Sequence, residues 1–248
     1  MIIIICAIAF VASLLTFFCG FGLGTIMLPV FGLYFDLPLA IAMTAIVHFT
    51  NNIFKLGLNF KSIDYNSLKW FGIPSILFAF GGAITLRQLE IWQDNQQFFI
   101  LNKVIGLLLI WFALFELYDS FKKLEFSKNY LILGGALSGF FGGLSGHQGA
   151  LRSAFLSKMG LSKEQFISTG IAIACLVDIS RLTVYWQRIQ QHFYTMDWRL
   201  IGFSIAAAIG GALLGKQLLN KITLQWLQWI VAFALVAFGI YLFTKTSN

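Results

Sequence analysis

Apolar positions run along this chain in stretches of membrane length, separated by short polar turns. A helix rising about 1.5 Å per residue needs roughly 20 apolar residues to cross a bilayer. Segments 39–58, 67–86, 98–118, 162–183, 198–217 and 224–244 meet that need. Segments 2–35 and 130–160 are too long for one upright helix, and glycines cut each into pieces too short to cross alone. Each predicts either a strongly tilted, broken helix or a re-entrant hairpin with its glycine tip inside the protein. Irregular backbone at membrane depth needs protein or a wet cavity to satisfy it, so both forms put the glycines at a buried, polar place. Single spans would give parallel halves with four crossings each, and hairpins would give inverted halves with three. Either way the richer side carries ten basic residues, so loop charge does not separate the two. Segment length favours the hairpin.

The pattern occurs twice. Gly20-Phe21-Gly22-Leu23-Gly24 breaks the first long segment, and Gly142-Gly143-Leu144-Ser145-Gly146-His147-Gln148-Gly149 breaks the second. A slide of 125 lays Gly24 on Gly149 and Thr44 on Thr169. A slide of 126 lays Asn52 on Asp178 and Lys55 on Arg181. A slide of 129 lays Ser75, Gly81, Gly82, Ala83 and Gln88 on Ser204, Gly210, Gly211, Ala212 and Gln217. The fold expected is an all-α polytopic membrane protein with about eight hydrophobic segments in two homologous repeats, 1–126 and 127–248. Each repeat opens with a glycine-broken, re-entrant segment, and together they form one integral membrane domain. Paired repeats with broken segments mark a transporter whose site lies between the halves.

Composition agrees: 58% of residues are hydrophobic and 11% charged, too little polar surface to coat a soluble domain of this length. The net charge of +7 comes mostly from residues in short loops, such as Lys55, Lys61, Lys69, Lys122, Lys123, Lys128, Arg188 and Arg199. That placement suits lipid headgroups and positive-inside sorting and predicts no nucleic-acid partner. Trp70, Trp92, Trp198, Trp226 and Trp229 stand near segment ends, as interfacial aromatics do. Cys6, Cys19 and Cys175 lie in apolar runs without metal-ligand spacing and read as small fillers. The first residues lack a basic n-region, so no cleaved signal peptide is expected. Loops 87–97 and 188–197, with Arg87, Glu90, Asp94, Arg188, His192 and Asp197, read as solvated connectors, and Gly81-Gly82 and Gly210-Gly211 as close helix contacts. No hydrolase, metalloprotease or nucleotide motif is present, so neither an enzyme nor a cofactor is expected.

Ionisable groups inside spans cost several kcal/mol and need a partner or a task. Thr44, His48, Asn51, Asn52 and Lys55 recur every three or four residues and share one helical face. They read either as a hydrogen-bonded seam ending in a snorkelling Lys55 or as a cavity lining. The equivalent helix carries Ser168, Thr169, Asp178, Ser180 and Arg181, where Asp178 and Arg181 are spaced to pair. Lys55 and Arg181 would form a pseudo-symmetric pair of cations suited to an anion, unless both sit at the membrane edge. The second break adds His147, Gln148, Gly149, Arg152 and Ser153. Arg152 is enclosed by apolar residues; its planar fork suits carboxylate or sulfonate oxygens, with Asp178 or Glu116 as the alternative partner. Gly22 and Gly24 give the first break no charge at all. His48 and His147 are the candidates for proton coupling.

A glycine-rich break, a proline soon after and a helix opening with "DLPLAIAMTA" resemble the sulfite exporter TauE/SafE family. The stretch "GFFGGLSGHQGALRSAFLSKMGLS" resembles that family's second repeat, and the likeness spans roughly residues 5 to 245. Gly20, Gly22, Gly24 and Pro29 match the first motif, and Gly142, Gly143, Gly146 and Gly149 the second. The resemblance implies a secondary carrier of the cytoplasmic membrane for sulfite, sulfonates or other small organic anions. His147, Gln148 and Arg152 depart from the family's apolar continuation and point to a different or more specific anion. A passive channel on the same scaffold is the alternative.

Overall fold

The computed structural model describes residues 1–19, 22–96, 100–117, 126–217 and 225–244, and no strand occurs among them. Among the described residues, ten helices of eight residues or more follow in order: α1 (Ile2–Cys19), α2 (Leu23–Gly32), α3 (Leu37–Asn59), α4 (Ile73–Gln96), α5 (Ile100–Leu117), α6 (Leu131–Ser145), α7 (Gly149–Leu156), α8 (Lys163–Gln191), α9 (Trp198–Gln217) and α10 (Gln225–Thr244). Four stretches are long and apolar enough to cross a membrane: Leu37–Ser62, Tyr65–Trp92, Lys163–Gln191 and Trp198–Gln217. Shorter apolar stretches, Ile100–Phe115 and Val231–Thr244, stand for the other two expected spans. Exposed Leu77, Phe78, Leu107, Phe203 and Phe233 suit hydrocarbon, where they carry no hydration cost. Gly20, Lys122, Lys123, Lys221 and Lys245 lie outside the described residues, as does the side chain of Glu116.

Local chemistry fixes the helix starts. Asp36 accepts from the Leu39 N–H at 3.4 Å, and Pro38 sits in the first turn of α3. The Ser162 and Gln165 side chains each accept the other's backbone N–H, a closed capping box at the start of α8. The helix ends correct one expectation. α4 continues to Gln96 and α8 to Gln191, so much of 87–97 and the start of 188–197 are helix rather than connector. An apolar run ends where one face turns polar, but Leu86 and Ile189 still face the core and carry each helix onward.

Glycines set two close crossings. Gly135, Gly139 and Gly143 of α6 face the backbone at Phe71, Ser75 and Ala79, so closely that a Cβ on any of them would collide with the opposing carbonyl oxygen. Both series ascend together, so α6 runs parallel to α4. A Cβ on Gly82 would strike the Phe140 carbonyl and the Leu144 nitrogen, and one on Gly211 the Phe10 carbonyl and the Leu14 nitrogen. Phe10 and Phe140, like Leu14 and Leu144, are 130 residues apart, so α1 meets α9 as α6 meets α4. The expected close contacts at Gly82 and Gly211 are thus seen.

α3 and α8 cross the middle antiparallel. Asp36 before α3 meets Arg188 near the end of α8, His48 meets Asp178, and the Asp64 N–H beyond α3 donates to Thr169 Oγ1 near the start of α8. The second break is a fold-back. Gly146, at φ 83°, closes α6 in a left-handed conformation that an L side chain adopts at a cost of about 1–2 kcal/mol. Ser138 Oγ then donates to the Gln148 carbonyl at 3.1 Å, and the Phe155 ring rests on Gly134. α7 therefore returns along α6. In the first half α2 lies against α1, α3 and α10, with Gly32 under the Phe238 ring.

Candidate functional site

The polar residues singled out by periodicity meet where α3 crosses α8. Thr44, Asn51, Asn52 and Lys55 are buried on α3, and His48 is half-buried between them. Opposite them stand Ser168, Thr169, Asp178, Ser180 and Arg181, all buried on α8. One shared face accounts for the α3 set, whereas the α8 set is spread around a helix that is buried on nearly all sides there.

Asp178 organises the centre. Its Oδ2 lies 2.7 Å from His48 Nδ1, and its Oδ1 accepts from Arg181 Nε at 2.9 Å, with Nη2 in ion-pair contact at 2.8 Å. A carboxylate accepts, so the bridging proton sits on His48 Nδ1, and in the neutral ring Nε2 is then an acceptor. Asn52 Nδ2, 3.3 Å from Nε2, is placed to donate to it. The expected Asp178–Arg181 pairing is present, and it includes a residue from the other half of the chain. His48 also packs against Gly24, where an added Cβ would stand 3.3 Å from the ring.

Lys55 and Arg181 are both buried within the protein, 3% and 0% exposed. Lys55 therefore does not snorkel into solvent. Lys55 Nζ lies 3.4 Å from the Ser13 carbonyl. With its amide turned so that oxygen faces Nζ, Asn51 accepts from Lys55 at 3.2 Å and donates to the Ala208 carbonyl. Arg181 Nη1 instead points at Gly146, 2.6 Å from where a Cβ would stand. Glycine at this position leaves room for the guanidinium.

The break itself carries buried polar atoms. His147 stacks on Phe112 with centroids 5.4 Å apart, and its Nδ1–H donates to the Ser145 carbonyl at 3.0 Å. Its Nε2, both amide atoms of Gln148 and Arg181 Nη1 are buried with no hydrogen-bond partner among the described residues. A polar group left so costs about 1–3 kcal/mol. The Gln148 amide lies against Gly142, and Gly149 opens α7. Gly22, at φ 131°, stands at the start of α2.

Arg152 is buried on α7, but its Nε lies beside Gly170, eight residues and about 12 Å along α8 from Asp178. Asp178 is committed to His48 and Arg181, so it is not the hydrogen-bonded partner expected for Arg152. Ser153 is half-buried on the next position. Sequence reasoning missed Ser13, Ser138, Ser145 and Tyr185. Tyr185 is 6% exposed and donates to the Gly143 carbonyl at 2.5 Å. Its signal was available, since it lies one turn beyond Arg181 on the same face. Arg188, expected to be solvated, pairs with Asp36 at 2.6 Å and Glu90 at 2.5 Å. Arg87 Nη2 donates to Gln187 at 2.6 Å.

The family model described as Sulfite exporter TauE/SafE matches residues 5–243. The chain belongs to the sulfite exporter TauE/SafE family. The resemblance of the glycine breaks is thereby shown over nearly the whole chain. Members of the TauE/SafE family are membrane transporters of sulfite and related anions rather than enzymes, and with its long apolar helices this member is a multi-pass membrane protein. No curated protein and no solved structure matches the chain.

Proposed function

We propose that this TauE/SafE protein is a secondary carrier that moves a small anion, namely sulfite, a sulfonate or a small organic acid, across the cytoplasmic membrane by alternating access. The moving parts are two inverted repeats, residues 1–126 and 127–248, each opening with a re-entrant hairpin. Antiparallel α3 and α8, the matched glycine crossings and the return of α7 along α6 support inverted rather than parallel halves.

One observation carries the site: Gln148, His147 and Arg181 hold unpartnered polar atoms, buried together at the second break. Buried polar groups need hydrogen-bond partners, and a bound oxyanion would supply them here. Arg181 Nη1 and the Gln148 amide nitrogen are donors suited to oxyanion oxygens, with Gly146 giving close access. His147, Gly149, Arg152 and Ser153 complete the wall from the second half. Gly22, Gly24, His48, Asn51, Asn52 and Lys55 supply it from the first, and Asp178 sets the charge.

The hydrogen bonds of the two histidines support proton coupling. With Nδ1–H given to Ser145, neutral His147 offers only a lone pair at Nε2, so an anion there needs the imidazolium. His48 couples likewise through Asp178. Proteoliposomes test the reading with radiolabelled ethanesulfonate, whose own proton does not obscure the result. Uphill, saturable uptake under an imposed pH gradient is expected, with loss in Gln148→Leu at normal folded yield. Flux that only runs downhill without saturating would make the protein a channel instead.

A further inference from the structure

The polar face of α8 does not stop at the centre of the molecule. Asp178, Arg181, Tyr185 and Arg188 follow one another at spacings of three and four residues, so they form a single stripe. Exposure rises along it, from 0% at Asp178 and Arg181 to 6% at Tyr185 and 26% for the Arg188 side chain. Its outer end opens on a cavity of about 200 Å³, lined by Leu86, Arg87, Glu90, Tyr185 and Arg188 among others. The inverted counterpart is Asn52, Lys55 and Asn59 on α3 with Ser62 in the 3-10 turn that follows it, each 126 residues earlier. Since α3 and α8 are antiparallel, the two stripes leave the centre toward opposite faces.

Their closures differ. On α8, Tyr185 bonds across to the Gly143 carbonyl of α6, and Arg188 straps the end of α8 to Asp36 before α3 and to Glu90 of α4. On α3, the half-buried Asn59 turns its amide back to the carbonyl of Lys55, within its own helix. Ser62 stands where Arg188 stands on the other stripe, and a serine is too short to bridge helices. We infer that the two stripes are the substrate's access routes to the two membrane faces, and that Tyr185 with the Arg188–Asp36–Glu90 strap is the gate closing the α8 route. This rests on the carrier reading above. The gate is a hydrogen bond and two partly exposed ion pairs, light enough to open in each transport cycle. Opening it requires the end of α8 to part from α4 and α6, with the phenol releasing the break at Gly143.

A reporter cysteine behind the gate tests this. In a background lacking Cys6, Cys19 and Cys175, Ser145→Cys replaces a side chain 2% exposed, just inside Gly143. Its reaction with a membrane-impermeant thiol reagent is followed from each face in oriented vesicles, alongside ethanesulfonate counterflow. Tyr185→Phe removes one hydrogen bond, and Glu90→Gln removes one ion pair while leaving Arg188 and Asp36 in place. Each is expected to speed labelling from the α8-terminal face about threefold to tenfold, with no change from the other face. Unchanged labelling in both variants, with counterflow intact in the background protein, overturns the gate. Absence of counterflow in that background overturns the carrier reading itself.

Discussion

The two glycine breaks differ in chemistry. The first is neutral: Gly22 and Gly24 open α2, and the nearest ionisable group is the His48 ring against Gly24. The second carries Gly146 beside Arg181, then His147 and Gln148 with unpartnered buried atoms. The same contrast separates Lys55, held by a carbonyl and an amide, from Arg181, held by a carboxylate and reaching into the break. On the carrier reading proposed above, the anion's place lies at the charged break and not at the neutral one.

Removing each cation separates the halves most strongly. Arg181→Gln leaves Asp178 buried without its cation, at a cost of about 3–5 kcal/mol, seen as a large fall in melting temperature and folded yield. Adding Asp178→Asn should restore the yield but not ethanesulfonate flux. Lys55→Gln keeps a donor for the Ser13 carbonyl and should cost only about 1 kcal/mol. Equal losses in the two single variants would erase the asymmetry.

Next come the shared crossings, where the halves should behave alike. Gly82→Ala and Gly211→Ala each push a methyl group into backbone, so each should cost about 1–3 kcal/mol. Melting temperatures that fall by similar amounts sharpen the symmetry, and a fall in only one breaks it. Gly146→Ala combines a left-handed backbone with a collision at Arg181 Nη1 and should cost about 1–2 kcal/mol plus most of the flux. Gly24→Ala meets only the edge of the His48 ring and should be milder. Gly81→Ala, with nothing within 4 Å, should leave the melting temperature unchanged or raised slightly, by about 0.4–1 kcal/mol.

Much of this was legible in the chain because hydrocarbon as solvent makes periodicity informative. Apolar run length located the long helices, three-and-four spacing gathered His48, Asn52 and Lys55 on one face, and the second glycine break fell where expected. Contacts across the fold were not legible. Nothing local says that Asp178 chooses His48 and Arg181 over Arg152, because that choice depends on where α3 crosses α8. The ends of α4 and α8 were misread for a related reason: polarity beyond residues 86 and 183 looked like solvent exposure, yet Arg188, Glu90 and Asp36 satisfy one another. Loop charge gave no topology because either arrangement collects the same number of cations on one side.

The central claim is that the second break binds an anion through Arg181 and Gln148. Its most direct measurement is the melting temperature of purified protein with and without saturating ethanesulfonate or sulfite, in parallel for the unaltered chain, Lys55→Gln and Gln148→Leu. Ligand at about 100 times its Kd should stabilise the unaltered protein by about 2.7 kcal/mol. Most of that shift should survive in Lys55→Gln and vanish in Gln148→Leu. A shift that persists undiminished in Gln148→Leu, or one lost only in Lys55→Gln, would contradict the account.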